Sequence, residues 1–217
     1  MLKDYYTIKE TGSDQVIIRK SRFIGYVKRV ETEDDAVQFI NKIKKKHYDA
    51  THNCSAYIIG EQDQIQKAND DGEPSGTAGV PMLEVLKQQK LKDTVIVVTR
   101  YFGGIKLGAG GLIRAYGSTT SQTIKSIGIV QRQLVKGISI KTDYTLLGKL
   151  ENELRNSDHI LESIDYQEQV EFLVYVKEQA VEMFKEWIID HTSDQAIIED
   201  KQFAYIEIDV SDPQISP

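Results

Sequence analysis

Across the last third of the chain the apolar positions switch between the period of a strand and the period of a helix, and the switches mark out six elements. A first strand falls near Lys136–Thr142, and Asp143 then fits the N-cap of a helix whose apolar stripe is Leu147, Leu150 and Leu154. Strands near Ile160–Tyr166 and Val170–Val176 follow, the second alternating Val170, Phe172, Val174 and Val176. A second helix carries Val181, Phe184 and Ile188 on one face, and a last strand alternates Ala204, Ile206, Ile208 and Val210.

Strand, helix, strand, strand, helix, strand is the ferredoxin-like order, a scaffold too widespread to indicate function by itself. The preceding residues have a less regular pattern. Strand-like segments fall near Tyr5–Lys9, Gln15–Val30, Cys54–Gly60, Gln64–Asn69, Thr94–Phe102 and Ile129–Val135. One helix is well marked: Thr32 and Asp35 form a pair like a capping box, Glu33 and Asp34 complement the positive helix start, and Ala36, Ile40 and Ile43 share a face. It ends in Lys44, Lys45 and Lys46, which suit the negative terminus and read as a solvated helix end. A shorter helix is predicted over Val80–Gln89 and a longer one from about Gly110. The fold class is therefore α+β, with an N-terminal α/β domain over 1–136 and a ferredoxin-like domain over 137–217.

A length of 217 residues suits two small domains, and 40% hydrophobic with 28% charged residues is ordinary for a folded protein. Apolar runs such as Val95–Val98 fall far short of the ~20 residues that a spanning helix needs. The first residues show no basic patch leading into an apolar stretch, so a cytoplasmic protein without membrane contact is expected. The single cysteine, Cys54, excludes an internal disulfide and a cysteine-rich metal site. The net charge of −6 hides an asymmetry: residues 1–136 carry 21 Lys+Arg against 15 Asp+Glu, or +6, and the remainder carries 6 against 18, or −12. A basic half points to phosphate-rich ligands; an acidic half points to solubility or to a basic protein partner.

Six of the 15 glycines lie between Arg100 and Gly117, in a stretch that follows the buried-strand run Val95–Thr99 and feeds the helix near Gly110. A strand, a glycine loop and a helix start present unpaired backbone N–H groups to one point and can hold a phosphate or carboxylate. The candidate anion or nucleic-acid site comprises Arg100, Gly103, Gly104, Lys106, Gly108, Gly110, Gly111 and Arg114. The alternative is that the glycines only permit close helix–strand packing. No Gly-Lys-Ser/Thr ends the loop and the dinucleotide spacing is incomplete, so no nucleotide cofactor is expected. The polar stretch Asn69–Gly79 concentrates Asp70, Asp71 and Glu73, which can bind a hard cation, supply acid/base groups, or pair with Arg100 and Arg114. Pairing is the expected use, and no metal site is assigned. His52 and Cys54 share a strand face, but that spacing does not require the contact that a Cys/His enzyme needs, so His52, Asp70, Asp71 and Glu73 stand only as catalytic candidates.

Three separated blocks carry a resemblance. Ala50–Tyr57, Asp70–Gly79 and Arg100–Tyr116, in that order, closely resemble the signature of the YigZ/Impact family. The resemblance implies an N-terminal domain with the fold of the second domain of ribosomal protein S5, shared with domain IV of elongation factor G. It also implies a C-terminal domain similar to the last domain of that factor. Eukaryotic members regulate translation through a kinase pathway and carry a further N-terminal domain absent from this sequence. The implied function is regulation of translation, with RNA or the ribosome as partner of the basic domain and a basic protein as partner of the acidic one. An enzyme acting on a small phosphorylated or carboxylated substrate at the same loop is the competing expectation.

Overall fold

The computed structural model describes residues 4–210 and shows a mixed α+β chain with two sheets. It divides into two compact units. The N-terminal unit holds the described residues through Arg132 and again from Ile208; the C-terminal unit is Gln133–Glu207.

The N-terminal unit runs β1 (Asp4–Ile8), β2 (Gly12–Ile18), β3 (Ser21–Arg29), α1 (Glu33–Lys46), β4 (His52–Ile59), β5 (Ile65–Asn69), α2 (Gly79–Gln88), β6 (Thr94–Tyr101) and α3 (Ala109–Ile127). Its main sheet has the order β2-β3-β6-β4-β5, with every neighbouring pair antiparallel. Both faces are covered, which is why β6 is an unbroken apolar run: Ile96 and Val98 join the core that includes Met82, Leu112 and Tyr116 of α2 and α3, while Val95 and Val97 join Ala36, Phe39 and Ile43 of α1. The α1 cap forms as the sequence indicates, the Asp35 N–H donating to Thr32 Oγ1 at 3.1 Å.

The segment read as Gln15–Val30 is two strands. Ile18 pairs with Ser21, so Arg19 and Lys20 alone make the turn, both at positive φ (44° and 64°). Two-residue hairpin turns favour Asn-Gly or Asp-Gly there, so Arg-Lys gave no turn signal. Likewise the strands read near Ile129–Val135 and Lys136–Thr142 are one strand, β7 (Ile129–Thr142), within which the chain passes from one unit to the other.

The C-terminal unit continues with α4 (Tyr144–Arg155), β8 (Ile160–Tyr166), β9 (Val170–Lys177), a single 3-10 turn (Glu178–Ala180), α5 (Val181–Thr192) and β10 (Ile197–Val210). β7 lies between β10 and β9, and β9 between β7 and β8. That order, with α4 and α5 supplying Leu150, Leu154, Phe184 and Ile188 to a core with Ile138, Ile140, Phe172 and Val174, is the ferredoxin-like arrangement.

Candidate functional site

The blocks 50–57, 70–79 and 100–116 meet on the N-terminal unit. β4 and β6 are antiparallel neighbours with His52 opposite Arg100, and the loop after β5 folds back over both. Asp70 organises that loop: its carboxylate accepts from the backbone N–H groups of Gly76 (2.8 Å), Ala78 (3.0 Å) and Gly79 (2.8 Å). Burial pushes the Asp70 carboxyl up, but these three donors outweigh it and hold the group below the ordinary range. Asp71 is likewise occupied, by the Lys44 ammonium and the Asn53 N–H, each at 2.6 Å; these outweigh burial and keep it ionised. Both aspartate carboxylates are thus engaged in holding the loop.

Glu73 has a different environment. It is 8% exposed, and its Oε1 accepts from Arg100 Nη1 at 2.6 Å and from the Tyr116 hydroxyl at 2.9 Å. Arg100 is 5% exposed, and its guanidinium lies near the rings of Phe23 and Phe102. Arg100 is thus committed to an internal ion pair, as the carboxylate-pairing expectation held for Glu73, and is not a free anion ligand. His52 donates from Nδ1 to the Asp71 carbonyl at 2.8 Å, and its Nε2 lies 3.7 Å from Glu73 Oε2. Cys54 is fully buried; its thiol donates to the Asp70 carbonyl at 3.0 Å, and burial pushes its pKa up to about 12. It is no nucleophile.

The glycine loop closes the site from the other side. Gly103 packs directly on the hairpin turn: a Cβ there would lie 2.0 Å from the Lys20 carbonyl carbon, and its N–H donates to Ser21 Oγ at 3.1 Å. Gly104 (φ 85°) and Gly108 (φ 71°) adopt conformations that other residues rarely hold. Gly108 caps α3, whose first turn carries no acidic residue and no side-chain cap. A cavity of ≈ 360 Å³ lies here, with Glu73, Arg100 and His52 at its polar end, Phe102, Leu107 and Leu112 along its walls, and Lys106 and Gly108 beside them. Arg114 faces a neighbouring hollow of ≈ 530 Å³ with Arg19 and Gly111. The structure therefore brings Arg100, Lys106 and Gly108 together with His52 and Glu73, and places Arg114 one hollow away. Gly110 and Gly111 lie in the first turn of α3.

Sequence reasoning missed Arg19, Lys20, Phe102 and Tyr116 as parts of this region. Two adjacent cations interrupting the apolar alternation after Ile18 were the signal that could have shown the first pair.

A family model of the Impact N-terminal domain matches residues 19–124, and one described as a domain of unknown function (DUF1949) matches residues 140–195. Over 207 residues, 95% of each chain, the sequence is 58% identical to the IMPACT family member YvyE of Bacillus subtilis. The chain belongs to the IMPACT family. A member of that family from Haemophilus influenzae is 37% identical over 203 residues, covering 91% of this chain and 97% of the relative. A crystal structure described as that of a hypothetical protein matches with a TM-score of 0.59 at 28% identity, over 93% of this chain and 99% of the other. In this IMPACT-family chain every residue of the cavity, from Thr51 to Leu112, lies inside the segment matched by the Impact N-terminal domain.

Proposed function

We propose that this chain is a translation-associated RNA-binding protein whose N-terminal unit holds phosphates on a cationic rim made by Arg19, Lys20, Lys106 and Arg114. The observation that carries the reading is that these four side chains are exposed, gather around one glycine loop, and form no ion pair among the described residues. Lys44 and Arg100, by contrast, are neutralised internally. Arg19 and Lys20 sit at positive φ, the conformation that their two-residue turn requires, and the turn holds both side chains beside the loop. The ribosome is the natural source of such RNA, and the acidic C-terminal unit is suited to a basic protein surface beside it.

Titrating a labelled single-stranded RNA with the full chain, followed by fluorescence anisotropy, tests this. Four phosphate contacts give a log–log salt slope of roughly −2.8, so affinity should fall about 50-fold between ~50 and ~200 mM salt. Replacing Lys106 and Arg114 by serine should reduce the slope by about 1.4. Affinity indifferent to salt refutes the reading. A second reading, an enzyme acting on a small phosphorylated or carboxylated compound, is favoured by the approach of His52 Nε2 to Glu73 Oε2 at the cavity wall. Turnover of such a compound, abolished in His52→Gln, is its test.

A further inference from the structure

The polar end of the ≈ 360 Å³ cavity shows what kind of group it accepts. His52 Nδ1 bonds to a backbone carbonyl, which can only accept, so that nitrogen carries the proton. In the neutral ring Nε2 is then an acceptor. The atom it faces, Glu73 Oε2, is also an acceptor, at 3.7 Å, while Arg100 Nη1 and the Tyr116 hydroxyl both donate to Oε1 instead. With the ring neutral, these two neighbouring acceptors offer a place for an N–H from outside.

The charge balance distinguishes an ammonium from a neutral amine. Arg100 already neutralises Glu73 at 2.6 Å, so that pair leaves no net negative charge to attract a cation, and the exposed Lys106 adds a positive one. That balance suits an uncharged donor better than a cation. The walls are Pro74, Phe102, Leu107 and Leu112, and Phe102 is 47% exposed. That is a setting for a flat, largely apolar body that stacks on an aromatic ring. Lys106 then serves an attached anion. A neutral amino group on a planar ring joined to a phosphate is an amino-bearing nucleotide.

We propose that this cavity takes one unstacked amino-bearing base, adenine, cytosine or guanine but not uracil, of a single-stranded RNA, its exocyclic amino group donating to Glu73 Oε2 and His52 Nε2, its ring against Phe102 and its phosphate toward Lys106. The proposal rests on the RNA-binding reading and adds base selectivity to it. Uracil is the discriminating control, because its single Watson–Crick N–H is flanked by two carbonyl oxygens that would face two protein acceptors.

The test measures anisotropy of labelled oligo(A), oligo(C) and oligo(U), each about ten nucleotides, with the full-length protein at one fixed salt concentration. Oligo(A) and oligo(C) should bind at least about tenfold more tightly than oligo(U). Phe102→Ala, at an exposed position, and His52→Ala, checked by its thermal midpoint, should each bring the A-to-U ratio close to one. Equal affinity for the three oligomers, with a steep salt slope, overturns the base site and leaves phosphate binding standing. Absence of any salt-dependent binding overturns both. Free AMP binding more tightly than oligo(A) overturns RNA as the occupant in favour of a small nucleotide.

Discussion

Among the described residues, the N-terminal unit buries Glu73, Arg100, His47, Asn53 and nine further Ser or Thr side chains that include Thr77 and Thr99, whereas the C-terminal unit buries only Ser139, Thr142 and Thr192 among polar groups. The C-terminal core is aliphatic and aromatic throughout, and its charges lie outside it in pairs such as Lys141 with Glu199 and Lys185 with Asp200. A fold does not need buried charge to be stable; a well-packed apolar core is often the more stable solution. A unit that nevertheless builds a Glu73–Arg100–Tyr116 cluster beneath a cavity spends stability on positioning, and the other unit acts as an internal control for that cost.

The largest expected effect breaks the cluster. Glu73→Ala leaves a guanidinium 5% exposed without its carboxylate and should cost about 3–5 kcal/mol of unfolding free energy, read from the urea midpoint. Removing a core aromatic of the C-terminal unit, Phe172→Ala, should cost a similar amount, about 3–5 kcal/mol, through a cavity instead of an orphaned charge. The contrast lies in the double variant: Glu73→Gln with Arg100→Met should recover much of the stability lost in Glu73→Ala but none of the base selectivity. If Glu73→Ala costs below ~1 kcal/mol, the ion pair is not buried in solution and the comparison fails.

Next in size is Gly103→Ala. The added methyl would lie 2.0 Å from the Lys20 carbonyl carbon and 2.4 Å from the Ser21 nitrogen, both backbone atoms that cannot turn aside. A loss of about 1–3 kcal/mol is expected, together with weaker RNA binding, because the hairpin turn carrying Arg19 and Lys20 must move away from the loop. Unchanged stability would show that the loop and hairpin do not touch.

Acid should act on the N-terminal unit through Asp70 and Asp71. Burial raises both carboxyl pKa values, but hydrogen bonds from the 76–79 backbone and from Lys44 and Asn53 outweigh it and depress both. A depressed folded value means that their contribution is fully present above the unfolded value of about 3.9 and is lost as pH falls through the lower folded value. Urea midpoints taken from pH ~5 downward should fall with acid below ~3.9, and Asp70→Asn should flatten that limb. An unaltered limb in Asp70→Asn means that the loop is not held by this carboxylate.

Local signals made much of this legible. Thr32 and Asp35 set the start of α1, and the alternation of Val170, Phe172, Val174 and Val176 named four fully buried residues of the C-terminal core. What stayed hidden was long-range. The sequence shows that Glu73 and Arg100 could pair, but the same reasoning offered Asp70, Asp71 and Arg114, and only the fold determines that Asp70 takes backbone donors while Asp71 takes Lys44. Gly103 looked like one glycine of a phosphate loop; its tight partner, Ser21, is 82 residues away. The two-residue turn at Arg19–Lys20 was invisible because its residue types contradict its backbone conformation.

The smallest effect sharpens the comparison by reversing a sign. Gly148 lies in the middle of α4, is exposed, and a Cβ there would meet nothing within 4 Å. With no protein atom in the way of a Cβ, glycine there mainly adds freedom to the unfolded chain, so Gly148→Ala should stabilise the C-terminal unit by about 0.5–1 kcal/mol. The same substitution at Gly103 destabilises the N-terminal unit, where the missing Cβ lets a loop seat against a hairpin. Thermal midpoints of the two variants should therefore move in opposite directions from the parent. If Gly148→Ala also lowers the midpoint, the α4 surface at that position is not open in solution and the contrast with Gly103 fails.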